Sequence, residues 1–232
     1  MRTDRSWCVV PAAGRGQRFG GDCPKQYVPL AGRPLIEWTL ERLAATPCVA
    51  GIVLVLAADD RHWVSRDRIG GKPLLATTGA AERSGSVLAG LHALPPEVDG
   101  EAFVLVHDAA RPCVRSEDIE RLVVQAGAAG GGLLAAPLRD TLKRADGDGR
   151  VAATEPREAR WRALTPQLFR RGELVAALVR AQADGVAITD ESMAMERAGH
   201  RPLLVEGAES NIKVTTPADL ALAEYLLLRA ER

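Results

Sequence analysis

Aromatic side chains are scarce in this chain. Trp, Tyr and Phe together make up 4% of 232 residues, so Leu, Val and Ala have to fill any core. Net charge is also absent, because 30 Lys and Arg balance 30 Asp and Glu. That excludes a global attraction to nucleic acid or to an anionic membrane surface, and any anion site must be a local group of cations. No apolar run is long enough for a membrane helix. The longest, Val49 to Ala58, falls far short of the roughly 20 residues needed. The N-terminal apolar run follows Arg2, Asp4 and Arg5 and is stopped by Pro11, a poor signal peptide. Cys8, Cys23, Cys48 and Cys113 form no Cys-x-x-Cys pair and have no His at metal-ligand spacing. They read as reduced structural thiols of a cytoplasmic protein. What is plentiful is aliphatic and charged sequence: 47% hydrophobic and 26% charged residues, as in a globular domain.

Apolar runs alternate with amphipathic stretches. Trp7–Val10, Ile52–Leu56, Leu74–Thr77, Phe103–His107 and Leu133–Ala136 are apolar on both faces, as parallel strands covered by helices should be. Helical patterns separate them: Pro34–Ala45 with Pro at the first helical position, Glu82–Leu94, and Ser116–Ala128 with Ser116 as N-cap and Asp118 and Glu120 in an acidic first turn. The alternation predicts an α/β domain with a mostly parallel sheet flanked by helices. After Pro137 the rhythm breaks. Leu138–Arg144 and Arg150–Thr154 flank Asp146-Gly147-Asp148-Gly149, a hairpin that reads as an arm over residues 138–155 of a single domain spanning 1–232. Beyond it, Gly172–Asp184 and Asp190–Ala198 read as helices and Arg201–Val205 as a strand. Thr216-Pro217-Ala218-Asp219 opens a terminal helix running through Leu228.

Three constellations carry chemistry. The first follows the first strand, Pro11-Ala12-Ala13-Gly14-Arg15-Gly16-Gln17-Arg18, with Pro24-Lys25-Gln26 beyond. Small residues let backbone N–H groups cradle phosphate, and Arg15, Arg18 and Lys25 suit a polyphosphate; a tight turn with solvated charges is the alternative. The loop is neither a Walker A motif nor a dinucleotide fingerprint. The second is His107-Asp108-Ala109-Ala110-Arg111, at the carboxyl end of a strand where α/β sheets bind ligands. Asp108 could take a divalent metal ion or a substrate hydroxyl, or could cap the next turn with Arg111 as partner. His107 reads as packed structure rather than a base. The third set is scattered: Asp140-Thr141, Lys143-Arg144, Arg157, Thr165-Pro166-Gln167 and Lys213. Glu82-Arg83-Ser84-Gly85-Ser86 opens a helix whose N-terminus could face a ligand, or is a plain helix start.

These segments, with Ser86–Gly90, Ala136–Thr141, Ala163–Gln167, Ile188–Glu191 and Asn211–Thr215, closely resemble the 2-C-methyl-D-erythritol 4-phosphate cytidylyltransferase family over nearly the whole chain. The resemblance implies a Rossmann-like nucleotidyltransferase fold. It implies transfer of the cytidylyl group of CTP to the polyol phosphate, with Mg²⁺ as cofactor and a homodimer formed through the arm. Arg18 and Lys25 would stabilise the phosphate charge, and Arg157 and Lys213 would hold the acceptor. Ala12, Ala13, Gly14, Gly16, Ala80, Ser86 and Asp108 would surround the nucleotide. Asp108, Arg111, Thr141 and Thr165 would line the acceptor pocket. One departure stands out. The family usually has Gly-Gly before this Ser, but here the run is Gly79-Ala80-Ala81. A positive φ at Ala80 would cost about 1 kcal/mol or more, whereas a negative φ would add only a methyl. The rival readings are a cytidylyltransferase for another polyol phosphate, such as ribitol 5-phosphate, and a catalytically silent nucleotide-binding protein.

Overall fold

The computed structural model describes residues 5–14 and 23–230. Its strands are β1 (Ser6–Pro11), β2 (Pro29–Leu30), β3 (Arg33–Pro34), β4 (Val49–Leu56), β5 (Arg68–Ile69), β6 (Lys72–Thr78), β7 (Phe103–Val106), β8 (Gly132–Pro137), β9 (Leu142–Ala145), β10 (Val151–Glu155), β11 (Trp161–Arg170) and β12 (Leu203–Glu206). The helices are α1 (Leu35–Ala45), α2 (Arg83–His92), α3 (Ser116–Ala129), α4 (Arg171–Ala183), α5 (Glu191–Arg197) and α6 (Pro217–Ala230). Eight strands form one sheet in the order β12-β8-β11-β7-β1-β4-β6-β5. Only β11 and the short β5 run against the rest, so the sheet is mostly parallel, as the strand–helix alternation predicts. The carboxyl ends of β1, β6 and β7 therefore share one edge, and the site lies there.

Each sheet face buries its own aliphatic cluster. On one face Cys8 and Val10 of β1 meet Ile36, Leu40 and Leu43 of α1 and Ile119 and Leu122 of α3. On the other, Val9 meets Val87 and Leu91 of α2, Leu174 and Leu178 of α4, and Met195 of α5. This period-2 sorting is what a strand covered on both faces requires. A third cluster seats α6 on Leu35 and Trp38. Gly90 sets how close α2 comes to the sheet. A Cβ there would lie 2.4 Å from a Val9 methyl, so only glycine lets the helix pack at this depth.

Three local expectations are corrected. Pro34 precedes α1 in extended conformation rather than opening it. Ser116 lies inside α3, and its hydroxyl meets that of Thr46 at 3.0 Å; the cap position falls to Arg115, which makes no side-chain capping bond. The acidic first turn holds Glu117 and Asp118 rather than Glu120. The α6 start is as expected: Asp219 accepts from Thr216 N–H (2.8 Å), and Asp219 N–H reaches back to the Thr216 hydroxyl (3.4 Å).

The arm is its own two-stranded sheet of β9 and β10, and its turn is tied by Asp146 Oδ1, which accepts from the N–H groups of Asp148 and Arg150. It leaves from the end of β8 and returns into β11. The strand β11 was not apparent in the sequence pattern, because Pro166 sits in its middle. The pairing register with β8 shifts between Ala163 and Gln167, so Pro166 occupies an irregularity where no ladder donor is needed.

Candidate active site

The cleft is built from three chain turns at the carboxyl edge of the sheet. After β1 come Ala12, Ala13 and Gly14; after β6, Ala80 to Arg83; after β7, Asp108 to Ala110. Lys25 and Lys213 line it as well. The Gln26 side-chain amide donates to Ala12 O at 2.7 Å, which pins the segment carrying Lys25 to the end of β1. Arg15, Gly16 and Arg18 of the predicted phosphate loop lie outside the described residues.

Ser86 orders the wall opposite β1. It is buried in the first turns of α2, and its Oγ accepts from Ala80 N–H at 3.1 Å while facing Ala80 O and Glu82 O at the same distance. Ala80 does not adopt a positive φ; the described non-glycine residues that do are Ala31 and Ala159. The methyl that replaces the family's usual glycine is thus accommodated without strain. It fits against Gly85, where a Cβ would come within 2.8 Å of it.

Asp108 is the electrostatic centre. Its Oδ1 accepts from Arg83 Nε (3.3 Å) and Nη2 (3.1 Å), and its Oδ2 from Arg111 Nε (3.3 Å) and Lys213 Nζ (2.9 Å). Burial alone would raise its pKa. The charges of Arg83, Lys213 and Arg111 outweigh that and hold the carboxyl well below the usual range. Its backbone N–H donates to Thr165 Oγ1 at 3.1 Å. His107 is fully buried, and burial lowers its pKa to about 4. It is neutral packed structure, as its sequence context implied.

The cleft thus gathers Ala12, Ala13, Gly14, Lys25, Ala80, Ser86, Asp108 and Lys213 from the predicted set. Two members of the predicted acceptor pocket stand behind its wall instead. Arg111 is buried, and its guanidinium is taken up by Asp108, Asn211 O (2.7 Å) and Ala163 O (3.5 Å). Thr165 is buried, with its hydroxyl between Asp108 N–H and His107. Thr141 and Arg157 belong to the arm and its root, away from this wall, and Arg157 donates to Arg139 O. Arg83, on the wall at the helix start that could face a ligand, and Glu191, its fully buried partner at 2.6 Å, had no role assigned from the sequence. They are 108 positions apart, so only the fold pairs them. No three His, Cys, Asp or Glu among the described residues gather as a metal cage, so the cleft's own carboxylates are Glu82 and Asp108.

A small-residue turn at the end of a first parallel strand, with cations and a carboxylate converging on it, marks an α/β protein that takes a phosphate-bearing ligand at the carboxyl edge of its sheet. Residues 7–229 match the family described as 2-C-methyl-D-erythritol 4-phosphate cytidylyltransferase, and the chain belongs to that family. A relative of that name from Xylella fastidiosa is 59% identical over 225 residues, covering 96% of this chain and 97% of its own. Another of the same name, from Xanthomonas campestris pv. campestris, is 57% identical over 231 residues, covering 99% and 87%. The crystal structure of the Francisella tularensis 2-C-methyl-D-erythritol 4-phosphate cytidylyltransferase superposes with a TM-score of 0.81 at 30% identity, covering 96% of this chain and 100% of that one.

Proposed function

We propose that this chain transfers the cytidylyl group of CTP to 2-C-methyl-D-erythritol 4-phosphate, releasing pyrophosphate. An acceptor phosphate oxygen attacks the α-phosphorus; a new P–O bond forms, the bond to the β-phosphate oxygen breaks, and the electron pair leaves on pyrophosphate. The nucleophile is already anionic at neutral pH, so no general base is needed. The site has to bring two anions together and stabilise charge on the transferring group. The observation that carries this reading is the cation cluster at the cleft: Lys213 and Arg83 on the Asp108 carboxylate, with Lys25 lining the same cleft.

In this reading Lys25 and Arg18 stabilise the CTP phosphates. Ala12, Ala13, Gly14, Gly16, Ala80 and Ser86 surround the base and ribose. Lys213, with Arg157 and Thr141 supplied by the arm of a second subunit, holds the acceptor phosphate. Arg111 and Thr165 act from behind the wall by fixing Asp108. A Mg²⁺ ion would be held mainly by the CTP phosphates and water, with Glu82 as the cleft carboxylate at hand, because Asp108 already accepts from Arg83, Arg111 and Lys213. Bound there, it would neutralise phosphate charge. Lys213, with a side chain 40% exposed, has room to leave Asp108 for an incoming phosphate.

The homodimer is supported by the arm. Its strands are mostly exposed and joined to no other sheet, and a hairpin alone is marginal in water. A cytoplasmic location is supported by the four free cysteines, three of them buried. No helix among the described residues is long and apolar enough to cross a membrane.

Pyrophosphate release with CTP or UTP against a panel of polyol phosphates tests the reading. Methylerythritol phosphate with CTP should be preferred, because a site that bonds the cytosine amino edge leaves groups unpaired with uracil. Preference for ribitol 5-phosphate, or equal use of UTP, would overturn the assignment.

A further inference from the structure

Glu191 is a fully buried carboxylate that the transfer reaction does not use. It is the first residue of α5, and that end of the helix is built for holding it. Asp190 caps it by accepting from Met193 N–H at 3.0 Å. The Gln167 amide then bridges Asp190 Oδ2 (2.9 Å) and Ser192 N–H (2.7 Å), tying the helix start to β11. Glu191 meets Arg83 twice, from Nη1 at 2.6 Å and Nη2 at 3.2 Å.

Arg83 spends the other side of its guanidinium on Asp108, through Nε and Nη2. Four of its five N–H donors are then engaged between two carboxylates, which leaves little for a substrate. Its place in the chain is unfavourable by itself. A cation in the first turn of a helix opposes the helix dipole, and that turn of α2 carries no acidic residue to offset it. The two carboxylates explain why an arginine stands there. Asp108 is fixed at three points: its backbone by Thr165, two positions from Gln167 on β11, its Oδ2 by Arg111 from behind the wall, and its Oδ1 by Arg83.

We propose that Arg83 is a positioning residue for cytidylyl transfer: clamped from behind by Glu191, its guanidinium holds Asp108 by Oδ1 and so turns Oδ2 towards Lys213 at the cleft. The proposal rests on the reaction assigned above and adds to it a coupling between α5 and the acceptor-side lysine. A planar fork is required. A lysine at the same place is a point charge and cannot bridge both carboxylates in one plane.

The test compares Glu191→Gln, Glu191→Asp and Arg83→Lys with the unaltered protein, each checked for folding by circular dichroism and thermal melting. Three readouts apply: kcat for pyrophosphate release, CTP affinity by calorimetry, and the acetylation rate of each lysine by mass spectrometry without ligands. Glu191→Gln and Arg83→Lys should lower kcat about ten-fold or more while CTP affinity stays within about three-fold, because the loss falls on transition-state geometry rather than on nucleotide binding. Glu191→Asp should recover most of the rate. Lys213 should be acetylated several-fold faster in Glu191→Gln and Arg83→Lys, with Lys143 on the arm unchanged. A merely structural pair would lower the melting temperature and leave kcat of the folded protein and Lys213 reactivity unmoved; that result overturns the proposal. If Glu191→Gln does not fold, Arg83→Lys, which keeps the charge, decides. If the unaltered protein releases no pyrophosphate, the assigned reaction falls, while Lys213 acetylation still decides whether Arg83 positions Asp108 against it.

Discussion

The hydroxyl of Thr165 lies between the backbone of Asp108 and the ring of His107: Asp108 N–H donates to Oγ1 at 3.1 Å, and Oγ1 stands 3.0 Å from His107 Nδ1. His107 Nε2 is 3.2 Å from Arg111 O, which can only accept, so the Nε2–H tautomer satisfies the set and the Thr165 hydroxyl donates to Nδ1. Thr165→Val keeps the shape and orphans a buried donor and a buried acceptor. It should cost about 1–3 kcal/mol by urea denaturation, with Thr165→Ser restoring most of the loss. A valine variant as stable as the parent would show that the hydroxyl does not anchor the Asp108 backbone.

His107 makes stability depend on pH. Its folded pKa is depressed to about 4 from an ordinary 6.5, with burial the largest cause. The unfolded chain takes up the proton first as pH falls, so stability is full above about 6.5 and drains away down to about 4. The loss over that window should approach about 3 kcal/mol. Asp108, depressed far below the normal carboxylate range, contributes its own loss only at more acid pH. Denaturation of the parent and His107→Gln across pH 7.5 to 4 checks this: the variant should show a flatter slope. Parallel slopes would refute it.

Gly79 leaves no room for a side chain. An added Cβ would stand 2.7 Å from Ser86 Oγ and 2.8 Å from the Ala13 methyl. Gly79→Ala should displace Ser86 from Ala80 and weaken CTP binding by about ten-fold or more, within the 1–3 kcal/mol typical of overpacking. Gly127→Ala is the control, in an open helical position where it should stabilise by about 0.5–1 kcal/mol. Calorimetric titration with CTP reads the first and thermal melting the second.

Lys25→Ala should cut turnover by about 10²–10³ with little change in melting temperature, the scale of losing one donor to a developing charge. Lys25 is only partly buried and lies outside the apolar clusters. A well-folded variant with near-normal turnover would remove Lys25 from the site.

The arm predicts complementation. If Arg157 serves the site of the second subunit while Lys25 serves its own, inactive Lys25→Ala and Arg157→Ala proteins should rescue each other after subunit exchange. Random pairing makes about half the dimers mixed, each with one intact site, so about a quarter of the activity should return. Exchange verified by mass spectrometry without any rescue would put both residues in one subunit's site.

The elements that were legible in the sequence are those with one dominant signal. β1, β4, β7 and β8 are apolar runs between turn residues, and α6 announces itself by Thr216-Pro217 and Asp219. β11 was hidden because Pro166 contradicts a strand interior, and nothing local reports the register shift that tolerates it. Ser116 looked like a cap because only tertiary packing brings Thr46 to its hydroxyl. The cleft was readable where its residues are consecutive, at Ala12 to Gly14 and Asp108 to Ala110. The resemblance places Arg111 and Thr165 on the acceptor pocket, but burial turns both inward, and Arg111 takes the alternative role of partner to Asp108. The pairing of Arg83 with Glu191 has no local trace, since each residue alone reads as a helix start.

The root of the arm is closed by its own hydrogen bonding: Leu138 N–H donates to Arg160 O at 2.9 Å, and Pro137 pairs with Trp161 across neighbouring strands. The chain therefore departs from the sheet and rejoins it at almost the same spot. Such an excursion can lengthen or shorten without passing any change in registration to Thr165 and Gln167 further along β11. The body of the domain is insulated from drift in the arm, so the arm's length can be retuned over evolutionary time while the cleft keeps its alignment.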